Sequence, residues 1–277
     1  MATKTSLKPG EQLTYSSPDD PLLKKGVINT IEILSGRKKV KRIYREIERE
    51  SLSGQALWDR IFEKFSLNLE YDKNQLDKIP PKGPLVLIAN HPFGVIDGLC
   101  LGNLLAKRRL DFKLIVNEVL TREEMLKKYL LPIDFRETRQ ALLTNIQTRK
   151  STIELLLKEH AIGIFPSGAV ATTPKIKDKI AVDLEWKRFV VKILHGSKAT
   201  VVPIYFHGQN SKIFQLASHI HPNLRLALIM HEATKKMNTT IKIDIHDPIS
   251  YEQLPEGMNK VDLLEYLKNK TILKKDF

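Results

Sequence analysis

Five consecutive aliphatic residues, Leu85, Val86, Leu87, Ile88 and Ala89, run without a polar interruption into Asn-His-Pro-Phe-Gly-Val-Ile-Asp-Gly, residues 90–98. A short apolar run opened by Pro84 and closed by a turn signal is the pattern of a buried strand, which places His91 at the strand's carboxyl end. Open α/β sheets bind their ligands at that end. Pro92 fixes one backbone angle, Gly94 and Gly98 permit tight turning, and Asp97 heads a helix-like stretch over residues 99–107. A histidine and a carboxylate are thereby expected within one loop.

Neutral imidazole accepts a proton near pH 7, and a carboxylate on its other ring nitrogen fixes the tautomer and stabilises the imidazolium. A hydroxyl or amine presented to such a pair becomes a nucleophile, with a typical gain of about a hundredfold to ten-thousandfold in rate. Asp97 also has the placement of a helix N-cap, and capping and pairing can share the side chain, one per oxygen. A lone histidine at a strand end is more often a hydrogen-bonded structural residue, so the neighbouring segments matter.

Three further segments accompany it. LPIDFRET from Leu131 is a Pro-bounded apolar piece followed by Arg136, a side chain able to hold an anion or a carbonyl by paired hydrogen bonds. GIFPSGAVATTP from Gly163 reads as a strand ending in Pro166, with Ser167 and Gly168 in the turn. TVVPIYFHGQNS from Thr200 is a β-branched run broken by Pro203 and closed by Gly208. Ser167 is not in a GxSxG elbow, which argues for a turn residue, with or without a substrate contact, rather than a hydrolase nucleophile.

These four segments, in this order, resemble the four blocks of the PlsC-like glycerolipid acyltransferase family over residues 58–249. The first block, NHPFG, is closest to the bacterial hemolysin-like subgroup of lysolipid acyltransferases rather than to the NHQSxxD of the best-known members. Trp186, HGQNSKIF from His207 and HDPI from His246 also match. The resemblance implies a single α/β acyltransferase domain with a mixed, mostly parallel sheet flanked by helices and an N-terminal helical extension. It implies His91 as general base with Asp97 as its partner, attacking an acyl thioester of acyl carrier protein or coenzyme A as co-substrate, without a covalent enzyme intermediate. It places Asn90, Phe93, Gly94, Arg136, Pro166, Ser167, Gly168 and Pro203 around the substrate, with no metal and no cofactor.

Two departures bear on this. Five residues separate His91 from Asp97 where the family usually has four, which leaves the dyad geometry open. The usual third block FPEGTRS is FPSGAVA here, with Ser167 in place of glutamate and Val170 in place of arginine. Valine cannot make charge-assisted bonds to a phosphate, so a lysolipid without a terminal phosphate is expected. The resemblance to subgroup members that complete amino-acid lipids implies a lyso-amino-acid lipid of the ornithine or glycine type, esterified on its free 3-hydroxyl, as the acceptor. Lysophosphatidic acid is the alternative, with Arg136, Lys175, Lys187 or Arg188 as replacement charge. A catalytically silent, basic membrane-binding protein is the reading from another class.

Composition agrees. The 277 residues, 42% of them hydrophobic, can bury one large core, and the single Cys100 excludes an internal disulfide. A net charge of +13 calls for an acidic partner, an anionic membrane surface or acyl carrier protein. Nucleic acid is not expected, since aromatics make up 7% and are not interleaved with the basic residues. No run approaches a membrane span and the N-terminus lacks the apolar core of a signal peptide, so a cytoplasmic protein, peripheral on the inner face of the membrane, is expected.

The organisation expected is a polar tail over residues 1–20, a helical membrane-associating or packing segment over 21–78 and the acyltransferase domain over 79–277. Within the second, residues 22–50 carry a basic cluster with apolar Ile28, Ile31, Leu34, Val40, Ile43 and Ile47, interrupted by Gly36. Residues 54–65 form a second helix whose stripe Leu57, Trp58, Ile61, Phe62 and Phe65 favours packing on its own core. Downstream, strands are predicted near 112–116, 161–165, 200–206 and 240–245, and helices near 139–160, 184–194, 223–235 and 260–269.

Overall fold

The computed structural model describes residues 36–272; the tail and the Ile28, Ile31 and Leu34 stripe lie outside them. Helix α1 (Arg37–Arg49) starts after Gly36, which has φ 79°, and α2 (Gly54–Phe65) follows. Their apolar faces turn inward. Val40, Ile43 and Ile47 of α1 and Leu57, Trp58, Ile61 and Phe65 of α2 are all buried in one core with the sheet, leaving Lys38, Lys39 and Arg42 on the outside.

A seven-stranded sheet forms the centre, in the order β1-β7-β6-β2-β5-β3-β4. Its strands are β1 (Asn68–Glu70), β2 (Leu85–Ala89), β3 (Phe112–Asn117), β4 (Leu130–Ile133), β5 (Ala161–Ile164), β6 (Thr200–Phe206) and β7 (Thr240–Ile245). Every pairing is parallel except β6 with β7, so the sheet is mixed and mostly parallel. The aliphatic run of β2 explains its place. Leu85, Leu87 and Ala89 point to one core, Val86 and Ile88 to the other, and all five are fully buried, as a strand covered on both faces requires.

Helices cover both faces. On one side lie α1, α2, α3 (Val95–Arg108) and α8 (Pro222–Lys235); on the other lie α5 (Arg139–Leu157), α6 (Phe189–Ser197) and α9 (Lys260–Thr271). The short α4 (Glu124–Lys127) precedes β4, and α7 (Lys212–Ile220) follows β6. The chain leaves β2 towards β3 on one side, whereas β5 hands over to β6 on the other. The crevice where the order reverses therefore opens at the carboxyl end of β2.

Several elements depart from expectation, among them β1, which lies inside the segment 21–78 expected to be helical and pairs with β7. The helix predicted over 184–194 begins at Phe189, because the Lys187 N–H donates to the Pro166 carbonyl (2.8 Å) and the Trp186 indole N–H to Asp183 (3.0 Å), holding residues 184–188 out of a helix. Strand β4 forms despite Pro132, at the sheet edge where a missing donor is tolerated. Helix α7 lies where no element was predicted.

Candidate active site

His91 leaves β2 with its backbone tied on both sides. Its N–H donates to Asp183 (2.9 Å) and its carbonyl accepts from the Ala171 N–H (2.8 Å), so the first and third blocks are bonded to each other. Its ring stacks on Phe165, with centroids 4.1 Å apart and planes 17° apart. Its Nδ1 sits 2.9 Å from Asp97 Oδ2.

The five intervening residues close into this pair because Gly94, with φ 87°, is the residue before the first turn of α3 and puts Asp97 inside that turn. The Phe93 and Gly94 N–H groups donate to the same Asp97 oxygen, at 2.8 and 2.9 Å, while Oδ1 makes no hydrogen bond. Pairing and helix-start bonding therefore share Oδ2 instead of taking one oxygen each. The capping position belongs to Gly94, not Asp97. A fully buried carboxylate with three donors on one oxygen cannot swing away, so the imidazole is held with its other nitrogen left for the cavity that His91 lines.

That cavity measures about 720 Å³, within the range of small-ligand sites. Gly94, Val95 and Leu99 of the α3 start, residues 164–170 of the third block, and Arg225, Leu226, Ile229 and Met230 of α8 form part of its wall. Leu126 and, from α1 and α2, Val40, Ile47 and Ile61 add apolar wall. Tyr44 and Glu123 also line it, and burial raises the pKa of both above its ordinary value.

The remaining anticipated residues divide. Pro166, Ser167 and Gly168 line the cavity; the Ser167 hydroxyl donates to the Ala169 carbonyl (2.9 Å), a turn bond, and Gly168 has φ 66°. A Cβ on Gly168 would stand 2.8 Å from the Phe135 ring. Asn90 does not line the cavity: its amide donates to the Phe206 carbonyl (2.9 Å) and accepts from the Phe206 N–H (2.7 Å), stapling the ends of β2 and β6. Phe93 is buried with the Lys236 ammonium 4.1 Å over its ring, and Pro203 is a buried strand residue opposite Ile88. Arg136 also stands apart. It forms a forked pair with Asp134 and a 2.7 Å contact to Glu118, and it does not line the cavity. Of the basic residues offered as replacement charge, Lys187 lines the cavity; Lys175 and Arg188 do not.

Two residues were not anticipated. Buried Asp183 accepts from both the His91 N–H and the Trp186 indole, and burial raises its pKa against the pull of those two bonds. Nothing local in VDLEW marks it. Arg225 donates to the Val170 carbonyl, at the position where the family pattern has its own arginine.

Residues 51–277 match the Acyltransferase family. The chain belongs to that family. Two relatives are named lyso-glycine lipid O-acyltransferase. The one from Bacteroides thetaiotaomicron is 24% identical over 212 residues, 73% of this chain and 74% of the relative. The one from Phocaeicola vulgatus is 25% identical over 214 residues, 73% of this chain and 72% of the relative. Among solved structures, the 1-acyl-sn-glycerophosphate acyltransferase PlsC from Thermotoga maritima superimposes with a TM-score of 0.50 at 16% identity, over 90% of this chain and 86% of that one. The PlsC fold is thus shared, and this acyltransferase transfers acyl groups.

Proposed function

We propose that this acyltransferase moves a fatty acyl chain from an acyl thioester, on acyl carrier protein or coenzyme A, to the 3-hydroxyl of an N-(3-hydroxyacyl)glycine. His91 takes the hydroxyl proton on the nitrogen not facing Asp97 as the alkoxide attacks the thioester carbonyl. The tetrahedral adduct expels the thiolate, which takes that proton from the imidazolium and leaves as a thiol. Asp97 stabilises the imidazolium between the two transfers. No further cofactor enters this scheme. The observation that carries it is the buried 2.9 Å Asp97 contact behind a histidine that opens onto an apolar cavity of about 720 Å³.

The glycine acceptor is supported by the names of the two relatives and by the charges around the cavity. Lys187 and Arg225 line it, a pairing that suits a carboxylate and disfavours the extra ammonium of an ornithine head group. The same cations keep lysophosphatidic acid as the second reading. Because such acceptors live in bilayers, the protein is taken to work at a membrane surface; among the described residues no helix is long and apolar enough to cross one.

A mass-spectrometric assay tests this, offering both thioesters with lyso-glycine lipid, lyso-ornithine lipid and lysophosphatidic acid. Product from the glycine acceptor is expected, and it should drop by at least about a hundredfold in His91→Ala. Product from lysophosphatidic acid alone would transfer the assignment to the second reading. Undiminished transfer by His91→Ala would remove the base from the scheme.

A further inference from the structure

Arg225, like Lys187 and Glu123, is a charged residue of the cavity wall that the proton transfers leave unused, and it is the one bonded to the third block. It sits on the α8 face that also presents Leu226, Ile229 and Met230 to the cavity, one helical turn before Ile229. One guanidinium nitrogen donates to the Val170 carbonyl, and no ion pair among the described residues includes it. A cation withdrawn from water without a carboxylate is costly, and an arginine held this way still has donors to give. Burial lowers its pKa, with no acidic neighbour acting against that.

Its position is set by the backbone that holds the base. The Val170 carbonyl bonded to Arg225 and the Ala171 N–H bonded to the His91 carbonyl belong to one peptide unit. Adding the two hydrogen bonds to the width of that peptide puts the guanidinium within about 8 Å of the His91 carbonyl. In an extended N-(3-hydroxyacyl)glycine the 3-hydroxyl and the carboxylate are separated by six bonds, roughly 7 Å. His91 and Arg225 line the same cavity, and an acceptor of that span can present its hydroxyl to the imidazole and its carboxylate to the guanidinium.

We propose that Arg225 is the carboxylate-binding, specificity-determining residue for the acceptor, taking from α8 the part that an arginine at position 170 would play. The proposal rests on the glycine-lipid reading. Paired charge-assisted bonds between guanidinium and carboxylate give both orientation and charge selection. The test compares N-(3-hydroxypalmitoyl)glycine with its uncharged glycinamide analogue in the wild type, Arg225→Gln and Arg225→Lys, reading kcat/KM for each pair. The wild type should prefer the carboxylate by about ten- to a hundredfold, as bonds to a charged group typically give. Arg225→Gln should bring that ratio close to one and Arg225→Lys should keep part of it. Equal losses on both acceptors in both variants would assign Arg225 to bracing the Val170 wall and overturn the proposal. So would a preference that survives Arg225→Gln. A wild type that acylates neither glycine acceptor would instead bring down the underlying reading, and this one with it.

A second inference comes from a different surface. Helix α7 buries Phe214 and Ala217, yet its outer face carries Ile213, Leu216 and Ile220 at 60%, 50% and 63% exposure, spaced along one side. The loop 173–181 is tied to α7 and its leading turn by bonds from Thr173 to Gln215 and His219, and from residues 179 and 181 to Gln209. That loop exposes Ile176 and Ile180 among Lys175, Lys177 and Lys179, with Lys212 at the start of α7. Apolar side chains bordered by lysines match the layered chemistry of an anionic bilayer, acyl region below and head groups above. We infer that α7 and this loop seat the enzyme on an anionic membrane. The triple variant Ile213→Ser, Leu216→Ser, Ile220→Ser should keep its melting temperature and lose at least about tenfold in binding to phosphatidylglycerol vesicles. Unchanged vesicle binding would overturn this. A wild-type dimer that the variant dissociates in sedimentation velocity would assign the face to a second copy and overturn it too.

Discussion

The wall that carries His91 and the wall that carries Val170 face the same cavity, yet they are made at different ranges along the chain. The first pairs residues six apart and draws its other hydrogen bonds from two N–H groups between them. The second joins residues 55 apart, Arg225 on α8 and Val170 in the loop after β5. A wall made locally can tolerate an added residue, because Gly94 absorbs it in one backbone angle and the His91–Asp97 contact still closes. A wall made at long range can exchange the source of a charge, an arginine from a helix in place of one from the loop, without moving the strand beneath. On the proposals above, the first wall carries the proton transfers and the second the recognition of the acceptor.

The sharpest way to break that comparison is Asp97→Asn. The amide keeps an oxygen for the Phe93 and Gly94 N–H groups but loses the charge behind the imidazolium and, with it, the enforced tautomer. Transfer should fall by about a hundredfold to ten-thousandfold while the melting temperature moves little. A loss below tenfold would mean that the local wall orients His91 without contributing charge. It would also transfer much of the rate to the positioning of the two substrates.

Asp183→Ala probes the bond between the walls and should have a smaller, mainly structural effect. Removing the carboxylate leaves the His91 N–H and the Trp186 indole as buried donors without acceptors, each costing about 1–3 kcal/mol. Asp183→Asn retains acceptor capacity for one of them and should recover part of the stability. Turnover should follow the same order, since Asp183 touches only the backbone of His91. Thermal unfolding of the two variants, read beside their kcat, checks this. If Asp183→Asn recovered stability yet lost turnover as fully as Asp183→Ala, the charge of Asp183 would belong to the chemistry.

The same contrast of range decides what could be read from residues alone. The strand β2, the turn glycine and the histidine with its carboxylate lie within one stretch of fourteen residues, 85–98, so periodicity and spacing expose them. Asp183 and Arg225 acquire their roles only when the third block and α8 are brought against β2, and no local pattern records that. The helix 223–235 was legible as a helix, but its cavity-facing side was not, because Leu224, Leu226, Leu228 and Ile229 are apolar around much of its circumference. Helix α7 escaped because it is only nine residues long, so the helical spacing of Ile213, Phe214, Leu216, Ala217 and Ile220 runs for little more than two turns. Arg136 misled in the opposite direction. Its chemistry suits an anion, and the anion turned out to be Asp134, two residues away.

Arg136 supplies the smallest test, because it belongs to neither wall. The guanidinium, held against Asp134 by side-chain hydrogen bonds, keeps that carboxyl near a pKa of about 2. A carboxyl with its pKa depressed on folding adds stability that is fully present above its unfolded pKa, about 3.9, and is lost as pH falls through the folded value. Arg136→Ala should therefore lower stability at pH 7, by only about 1 kcal/mol because the guanidinium is largely solvent-exposed and screened. The difference from wild type should shrink as pH drops from about 4 towards 2, where Asp134 becomes protonated in both proteins. Thermal melts across that range read it directly. Acceptor preference at neutral pH should stay where it was, since the residue lies outside the cavity. A change in the ratio between the glycine acceptor and its amide analogue in Arg136→Ala would extend the recognition wall across Phe135 to the start of α5, and its charge would then be divided between Arg136 and Arg225.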